Sequence, residues 1–403
     1  MNAYLFFQIL FWIPVGLLLY SYIIYPHLLE LISLFLKRKN PKPETQNTEP
    51  FVSILLSVYN EEKVLEQKIK NIFECDYPKD KLEIIVGNDC SDDSTKEILE
   101  RLKTEDERPK EANFKVITQN FEDRRGKPAV LNDLVKQATG EIFLLTDANI
   151  LFEKDAIKKL VAHFSDSKVG LVGGNIFSQA SGYGISRHEK TYVTRENRIK
   201  YHEGNIFGSM IGPFGGFYAL RKKLYQNVPE NFLVDDFFIC MNVLKQNFKS
   251  IAEPTAIAYE DVSEDWQQEY RRKARISAGN FQNLIHFESL LLRFNATSFC
   301  FFSHKVLRWL GPFFILLAFA FSATLYFAFH SYFYYWIFWM QIICASTPLL
   351  MMIENKLLFM KHTALNSLPY FYAMNLALLA GWFRYIRGIK SGAWTPTKRK
   401  DNV

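Results

Sequence analysis

The chain has 403 residues, 49% of them hydrophobic, with a formal net charge of +6. That length holds one large catalytic domain plus a membrane region. The small positive balance, with no basic stripe interleaved with aromatics, excludes nucleic acid as a partner. The five cysteines, Cys75, Cys90, Cys240, Cys300 and Cys344, form no CxxC pair, which argues against a zinc site. Their odd, scattered set suits a reducing compartment better than a disulfide framework.

The first element, Leu5 to Leu36, is almost wholly apolar and ends in Lys37, Arg38 and Lys39. It exceeds the about 20 residues that cross a bilayer. Its basic residues follow the apolar run, so residues 1–36 read as an uncleaved anchor whose C-terminal end faces the cytoplasm. Residues 37–50, polar and punctuated by proline from Pro41 to Pro50, read as a linker.

From residue 51 to 286 short β-rich runs alternate with helical patterns. Strands are predicted at Val52–Ser57, Leu82–Gly87, Phe114–Thr118 and Ile142–Thr146. Helices are predicted at Glu62–Phe73, Ser94–Leu102, Pro128–Ala138 and Asp155–Phe164. This alternation predicts an α/β domain, a mostly parallel sheet with helices on both faces. Such sheets bind ligands beyond the carboxyl ends of their strands. There the chain places Asn60-Glu61-Glu62, Asn88-Asp89 and Asp147-Ala148-Asn149. No GxGxxG follows the first strand, and Gly126-Lys127 lacks the upstream glycine of a P-loop. Asp92, Asp93 and Ser94 are explained as a helix cap, whereas Asp147 ends an apolar strand, where aspartate is a poor strand residue.

Past the domain, residues 287–305 are amphipathic, with Arg293, His304 and Lys305 among Leu and Phe, and read as an interfacial helix. The sequon Asn295-Ala296-Thr297 reads as coincidence in a cytoplasmic segment. Residues 306–388 hold three candidate spans, Val306–Phe329, Tyr332–Met352 and Leu368–Ile386, and residues 389–403 form a basic tail. One anchor before the domain and three spans after it would put that tail outside, against the positive-inside tendency. The sequence leaves the number of spans open.

The motifs together, in order, resemble the family 2 glycosyltransferases: Ser57-Val58-Tyr59-Asn60-Glu61, Asn88 to Thr95, Gly126 to Asn132, Thr146 to Asn149, Gly215-Gly216-Phe217, Val234-Asp235-Asp236 and Arg271 to Ile276. The match covers roughly Phe51 to Gln282. It is similar to the membrane-embedded branch that includes hyaluronan, cellulose and poly-N-acetylglucosamine synthases. The resemblance implies a GT-A fold with N- and C-terminal transmembrane helices. It also implies transfer of a sugar from a nucleotide-diphosphate donor, UDP-linked, with inversion. Asp236 would be the general base. Asn60, Glu61, Asp89, Lys127, Asp147, Arg272 and Arg275 would hold the nucleotide sugar, Asp89 at the base and the arginines at the diphosphate. Gly215, Gly216, Phe217 and Asp235 would border the acceptor. Asp147 and Asn149 would hold Mg2+ or Mn2+.

Two departures qualify that resemblance. Asn149 stands where the family carries a second metal-site aspartate. Arg272 and Ile276 replace the glutamine and tryptophan of the late QxxRW motif, and the lost tryptophan weighs against long-chain synthesis. The expected acceptor is a lipid-linked sugar or polysaccharide at the inner face of the plasma membrane. Membrane lipid is an expected partner, as are partner subunits if a product is exported. Two other readings stay open: a processive synthase that also exports its polymer, and a catalytically degenerate membrane scaffold.

Overall fold

The computed structural model describes residues 2–36, 49–103, 115–178, 185–260, 266–353 and 363–393. The predicted basic cluster Lys37–Lys39, most of the linker, the start of the third predicted strand at Phe114 and the tail residues Lys398–Lys400 lie outside the described residues. The chain opens with helix α1 (Ala3–Leu19), continues through a π-helical turn at Tyr20–Ile24 and ends this first rod with α2 (Tyr25–Phe35). Its 33 residues extend about 50 Å at 1.5 Å per residue.

The central domain alternates as predicted: β1 (Val52–Val58), α3 (Leu65–Phe73), β2 (Leu82–Asn88), α4 (Thr95–Lys103), β3 (Lys115–Asn120), α5 (Lys127–Gln137), β4 (Ile142–Thr146), β5 (Ile150–Phe152) and α6 (Ala156–Ala162). Strands β1, β2 and β4 bury both faces, so they read as continuous runs of Val, Ile and Leu. Ile54 and Leu56 face one apolar cluster with α3, α4 and α6, while Leu55 and Phe143 face another with α5.

Beyond α6 come β6 (Val169–Ser178), α7 (Ile185–Phe207), β7 (Phe217–Arg221), α8 (Asp235–Lys245) and β8 (Lys249–Glu260). The sheet has eight strands in the order β3-β2-β1-β4-β7-β6-β8-β5. The expectation of a mostly parallel sheet holds for β1 to β4, and β6 and β8 also pair in parallel. Strand β7 runs antiparallel to β4 and β6, and β5 antiparallel to β8. The sheet is therefore mixed.

Register decides what shares an edge. Val58 pairs with Asn88, and Leu56 with Thr146, so the residues after β1, β2 and β4 emerge together. Phe217 pairs with Thr146 across an antiparallel ladder, so the chain entering β7 arrives at that same edge.

The segment predicted as one interfacial helix over 287–305 is broken. Helix α9 (Trp266–His286) is followed by α10 (Glu288–Leu291), α11 (Ala296–Cys300), a π-helical turn at Phe301–Val306 and α12 (Leu307–Trp309). Asn295 caps α11 by accepting from Ser298 N at 2.9 Å, which accounts for the sequon-like Asn-Ala-Thr. His304 is fully buried against the domain, so this face of the segment is turned inward rather than to a membrane surface.

Helices α13 (Gly311–Phe327), α14 (Tyr332–Ile353) and α15 (Thr363–Ile386) complete the chain. Among the described residues, Ala3–Phe35 is the one helix long and apolar enough to cross a membrane; Ala296–Trp309 with Gly311–Phe327 passes the same test only as a pair bent by 60°. The turn between α13 and α14 meets the start of α1, where Tyr4 Oη donates to Ser331 Oγ at 3.2 Å. Helix α15 lies along α9, and the segment after it returns to the central domain: Gly392 N donates to Glu230 O at 3.1 Å and Asn231 Nδ2 to Ile389 O at 3.2 Å.

The α9–α15 contact depends on Gly381. A Cβ there would stand 2.3 Å from Ser277 Cβ and 2.6 Å from Ala274 O. We expect Gly381→Val to force the helices apart at a cost of about 1–3 kcal/mol, the range for overpacking. Thermal unfolding in detergent would show a lowered midpoint, and an unchanged one would mean that the helices do not pack this way.

Candidate active site

A cavity of about 490 Å³ opens at the shared sheet edge, walled by the start of α8, by α9 and by residues of α12 and α15. It gathers eight of the predicted residues: Lys127, Asp147, Gly215, Gly216, Asp235, Asp236, Arg272 and Arg275. Asn60, Glu61, Asp89, Asn149 and Phe217 do not line it.

Asp147 follows β4, and Lys127 opens α5. Lys127 Nζ donates to Asp147 Oδ1 at 2.6 Å and lies 3.8 Å from Asp235 Oδ2. Burial works against the ammonium, but Asp147, Asp235 and Asp236 together hold it above the ordinary lysine range. Asp235 and Asp236 form the first turn of α8. Burial and the neighbouring Asp235 push Asp236 up to about 6, against the opposing pull of Lys127, the Phe237 N–H and Lys200. A carboxyl poised there can take a proton near neutral pH.

The paired glycines explain themselves sterically. A Cβ on Gly215 would sit 3.0 Å from Asp236 Oδ2, and one on Gly216 2.8 Å from Ile150 Cγ1 and 3.5 Å from Asp147 Oδ2. Their missing side chains keep a strip clear between the two acids. Phe217 belongs to the core instead, fully buried with its ring 4.6 Å from that of Phe152.

On α9, Arg272 pairs with Glu269 through Nε at 2.8 Å and a terminal nitrogen at 3.1 Å. Arg275 donates to Leu233 O at 3.4 Å. Burial, with Arg272 and Arg384 adding their repulsion, pushes Arg275 down to about 10. Such crowding of cations suits an anionic ligand. Ile276 lines the cavity, so the expected tryptophan position keeps an apolar contact and loses its aromatic face.

The residues outside the cavity brace it. Asp89 is buried, and its two oxygens accept from the backbone N–H of Arg125 at 2.7 Å and of Gly126 at 2.8 Å. It thereby fixes the loop that carries Lys127. Asn60, at a positive φ of 54°, accepts from Asp92 N at 3.1 Å, and its side-chain amide donates to the Asp92 carboxylate. Glu61 N donates to Thr95 Oγ1 at 2.9 Å. Asp93 caps α4 through Thr95 N at 3.0 Å, as the sequence suggested.

Three contributors escaped the sequence reading. Lys68 is fully buried beneath the edge. It donates to Thr146 Oγ1 at 3.0 Å and to Ile150 O, and so holds the turn that presents Asp147 and Asn149. Its position on the apolar face of α3, among Leu65, Ile69 and Ile72, was the available signal. Glu260, at the end of β8, accepts from Asn149 Nδ2 at 3.4 Å. Lys200 of α7 also lines the cavity.

The family model for Glycosyl transferase family 2 matches residues 53–228, and that for Glycosyl transferase family group 2 matches residues 142–353, more than half of the chain. The chain is a family 2 glycosyltransferase. This glycosyltransferase is 28% identical over 257 residues to the probable glycosyltransferase YdaM of Bacillus subtilis, covering 60% of this chain and 59% of that one. It is 25% identical over 253 residues to the poly-beta-1,6-N-acetyl-D-glucosamine synthase of Staphylococcus aureus, with 61% and 58% covered. It is 32% identical over 139 residues to the beta-monoglucosyldiacylglycerol synthase of Nostoc, with 34% and 29% covered. The enzyme thus spans less than three fifths of the length of these curated relatives. Among solved structures, the mannosyltransferase PcManGT from Pyrobaculum calidifontis, in complex with GDP-Man and Mn2+, superposes with a TM-score of 0.68. The match covers 94% of this chain and 99% of that one at 22% identity, a likeness of fold.

The bracing role of Asp89 is testable. Asp89→Ala leaves two loop N–H groups without their acceptor, each worth about 1–3 kcal/mol when buried. We expect a loss of about 2 kcal/mol in denaturant titration of the detergent-solubilised enzyme; an unchanged midpoint would remove Asp89 from that role.

Proposed function

We propose that the enzyme moves a sugar, with inversion, from a nucleoside-diphosphate donor to a hydroxyl of a lipid-linked acceptor at the inner face of a membrane. The observation that carries this reading is Asp236, a half-buried carboxyl held at about 6 and facing Asp147 across the strip cleared by Gly215 and Gly216. Asp236 takes the proton from the acceptor hydroxyl. One base and no nucleophile positioned for a covalent intermediate give a single in-line displacement. Arg272 and Arg275, with Lys127, meet the diphosphate. Asp89 and Asn60 act from behind, by fixing the loops of the nucleoside side. The sequence expectation of a UDP-linked donor and the GDP-Man carried by the structural neighbour both enter the donor panel below.

The residues suit a divalent cation shared with substrate. Among the described residues no group of three or more His, Cys, Asp or Glu side chains forms a metal cage. Asp147, Asn149 and Glu260 offer hard oxygen donors at one edge, and such ions are often held by one or two carboxylates with substrate phosphates completing the shell. A cation there would supply positive charge for the departing diphosphate.

The helices support membrane attachment with the tail on the catalytic side. Leu5, Ile9, Ile13 and Ile24 of the first rod are exposed, as are Leu316, Phe327, Trp336 and Ile343 of α13 and α14, an apolar surface that suits lipid. The contacts of Gly392 with Glu230 and of Ile389 with Asn231 support an even number of crossings after the central domain. We assign those to α13 and α14, with α15 lying along α9. This assignment removes the conflict with the basic tail. Ile276 and the few spans favour addition of one or a few sugars over processive synthesis.

Incubating the solubilised enzyme with UDP- and GDP-sugars and Mn2+ and detecting free nucleoside diphosphate tests the reading; silence across the whole panel would favour the scaffold alternative. Asp236→Asn should cut transfer by about 10²–10⁴. In the wild type, kcat/KM should rise with pH through about 6 and then level, because the base works only when ionised. A profile flat from pH 5 to 8 would remove Asp236 from that role.

Asn149→Asp should lower the Mn2+ concentration for half-maximal activity, since it adds an anionic ligand beside Glu260. An unchanged or higher value would place the ion elsewhere.

A further inference from the structure

A second set of residues lines the same cavity, and the part they form is here called its second lobe. Its walls come from α7 and from the helices packed under the domain: Lys200, Lys305, Arg308, Tyr22, Phe371 and Met374. Lys305 and Arg308 share one carboxylate, that of Glu196, which accepts from Lys305 Nζ and from an Arg308 guanidinium nitrogen at 3.0 Å. Lys200 is 5% exposed and has no carboxylate within ion-pair distance among the described residues. Its Nζ instead stands 3.5 Å from the centre of the Phe214 ring. Burial and the adjacent Lys305 push Lys200 down to about 8. Lys200, Lys305 and Arg308 thus outnumber the carboxylates Glu196 and Asp236 on this side of the cavity. Buried charge left uncompensated is costly, and an anionic ligand relieves it.

The charges divide into two groups that meet at Asp236. Those acting most strongly on Lys200 belong to Lys305, Glu196, Asp236 and Cys240. Those acting on Arg275 belong to Arg272, Asp235, Arg384 and Asp147. Asp236 feels both Lys200 from the first group and Lys127, the partner of Asp147, from the second. A base standing between two anion sites suits one substrate on each side. The second lobe also carries Phe371, Met374 and Leu378 on its α15 wall, apolar side chains fit for a hydrocarbon chain.

We propose that this second lobe is the acceptor subsite and that it takes the phosphate of a lipid-phosphate-linked sugar, with Lys200, Lys305 and Arg308 on the phosphate, the apolar wall on the tail and the sugar hydroxyl toward Asp236. This deepens the glycosyl-transfer reading and rests on it. A neutral glycolipid or a bare polysaccharide would leave Lys200 uncompensated.

Calorimetry on the full-length solubilised enzyme, with the donor site saturated by nucleoside diphosphate and Mn2+, tests the assignment with three probes. Farnesyl phosphate should bind at least tenfold more tightly than farnesol, which lacks the charge, and than inorganic phosphate, which lacks the tail. Lys200→Gln should weaken farnesyl phosphate at least tenfold and Lys200→Arg should restore it, thermal unfolding confirming that both are folded. Equal binding of farnesol would reduce the lobe to a lipid contact, and equal binding of inorganic phosphate to a plain anion pocket; either overturns the proposal, as does indifference to Lys200→Gln. Nucleotide release by the wild type, measured separately, keeps the two readings apart: turnover without farnesyl phosphate binding sinks this inference and leaves glycosyl transfer standing.

Discussion

One ammonium stands among three carboxylates at the centre of the molecule, and the site is arranged around it. Lys127 lies 2.6 Å from Asp147 and 3.8 Å from Asp235, with Asp236 close enough to feel its field. Without that charge, three carboxyl groups would crowd one cavity with no ammonium between them. The loop that delivers Lys127 is in turn held by the buried Asp89, and the turn that delivers Asp147 by the buried Lys68. Each catalytic-edge charge therefore has an opposite charge beneath it, drawn from a different strand connection.

The helices under the domain are joined to it by polar contacts as well as by apolar ones. Tyr25 Oη donates to Glu203 at 2.8 Å, and His304 lies 2.9 Å from both Glu203 and Glu196. Buried groups of this kind add little net stability compared with an apolar replacement, yet breaking one partner is expensive. Their effect is to fix register. The first rod, α7 and the segment before α13 can slide past one another only by leaving a carboxylate unpaired. Apolar packing of Phe237 on Phe301 and Trp309, with ring centres 5.8 and 5.2 Å apart, would tolerate small shifts that this network forbids.

The strands β1 to β4 were legible because buried parallel strands write themselves as short apolar runs between turn residues. The strand-end Asp147 was legible for a related reason, since an acid has little business at the end of an apolar strand, whereas Asp236, in the first turn of α8, was named only through the family resemblance. What stayed hidden depended on distant pairing. The antiparallel return of β7 along β4 brings Gly215 and Gly216 beside Asp147 and sends Phe217 into the core, and no local pattern separates those three neighbours. Asp89 looked like a ligand-facing acid, yet its oxygens meet a loop 36 and 37 residues away. The break between α10 and α11 was hidden because the apolar pattern of 287–305 continues across it; only the capping by Asn295 marks the new start. Lys200 and Glu260 carry no motif at all and acquire meaning only from the cavity they share.

The shared field also links the two ends of the site. Asp147 and Asp236 both act on Lys127, and Lys127 in turn lowers the pH at which Asp236 ionises. Such coupling is reciprocal. A cation that competes for Asp147 turns more of the lysine's charge toward Asp235 and Asp236, and so favours the ionised base. An anion laid against Lys127 has the opposite effect, and one laid against Lys200 does the same from the other side. In the proposed reaction, occupancy of the donor side and ionisation of Asp236 are thus tied by electrostatics. The burial that raises Asp236 to about 6 makes this tie consequential, because a group titrating that close to neutrality responds to small changes in local charge, whereas an ordinary exposed carboxylate, ionised throughout, would not.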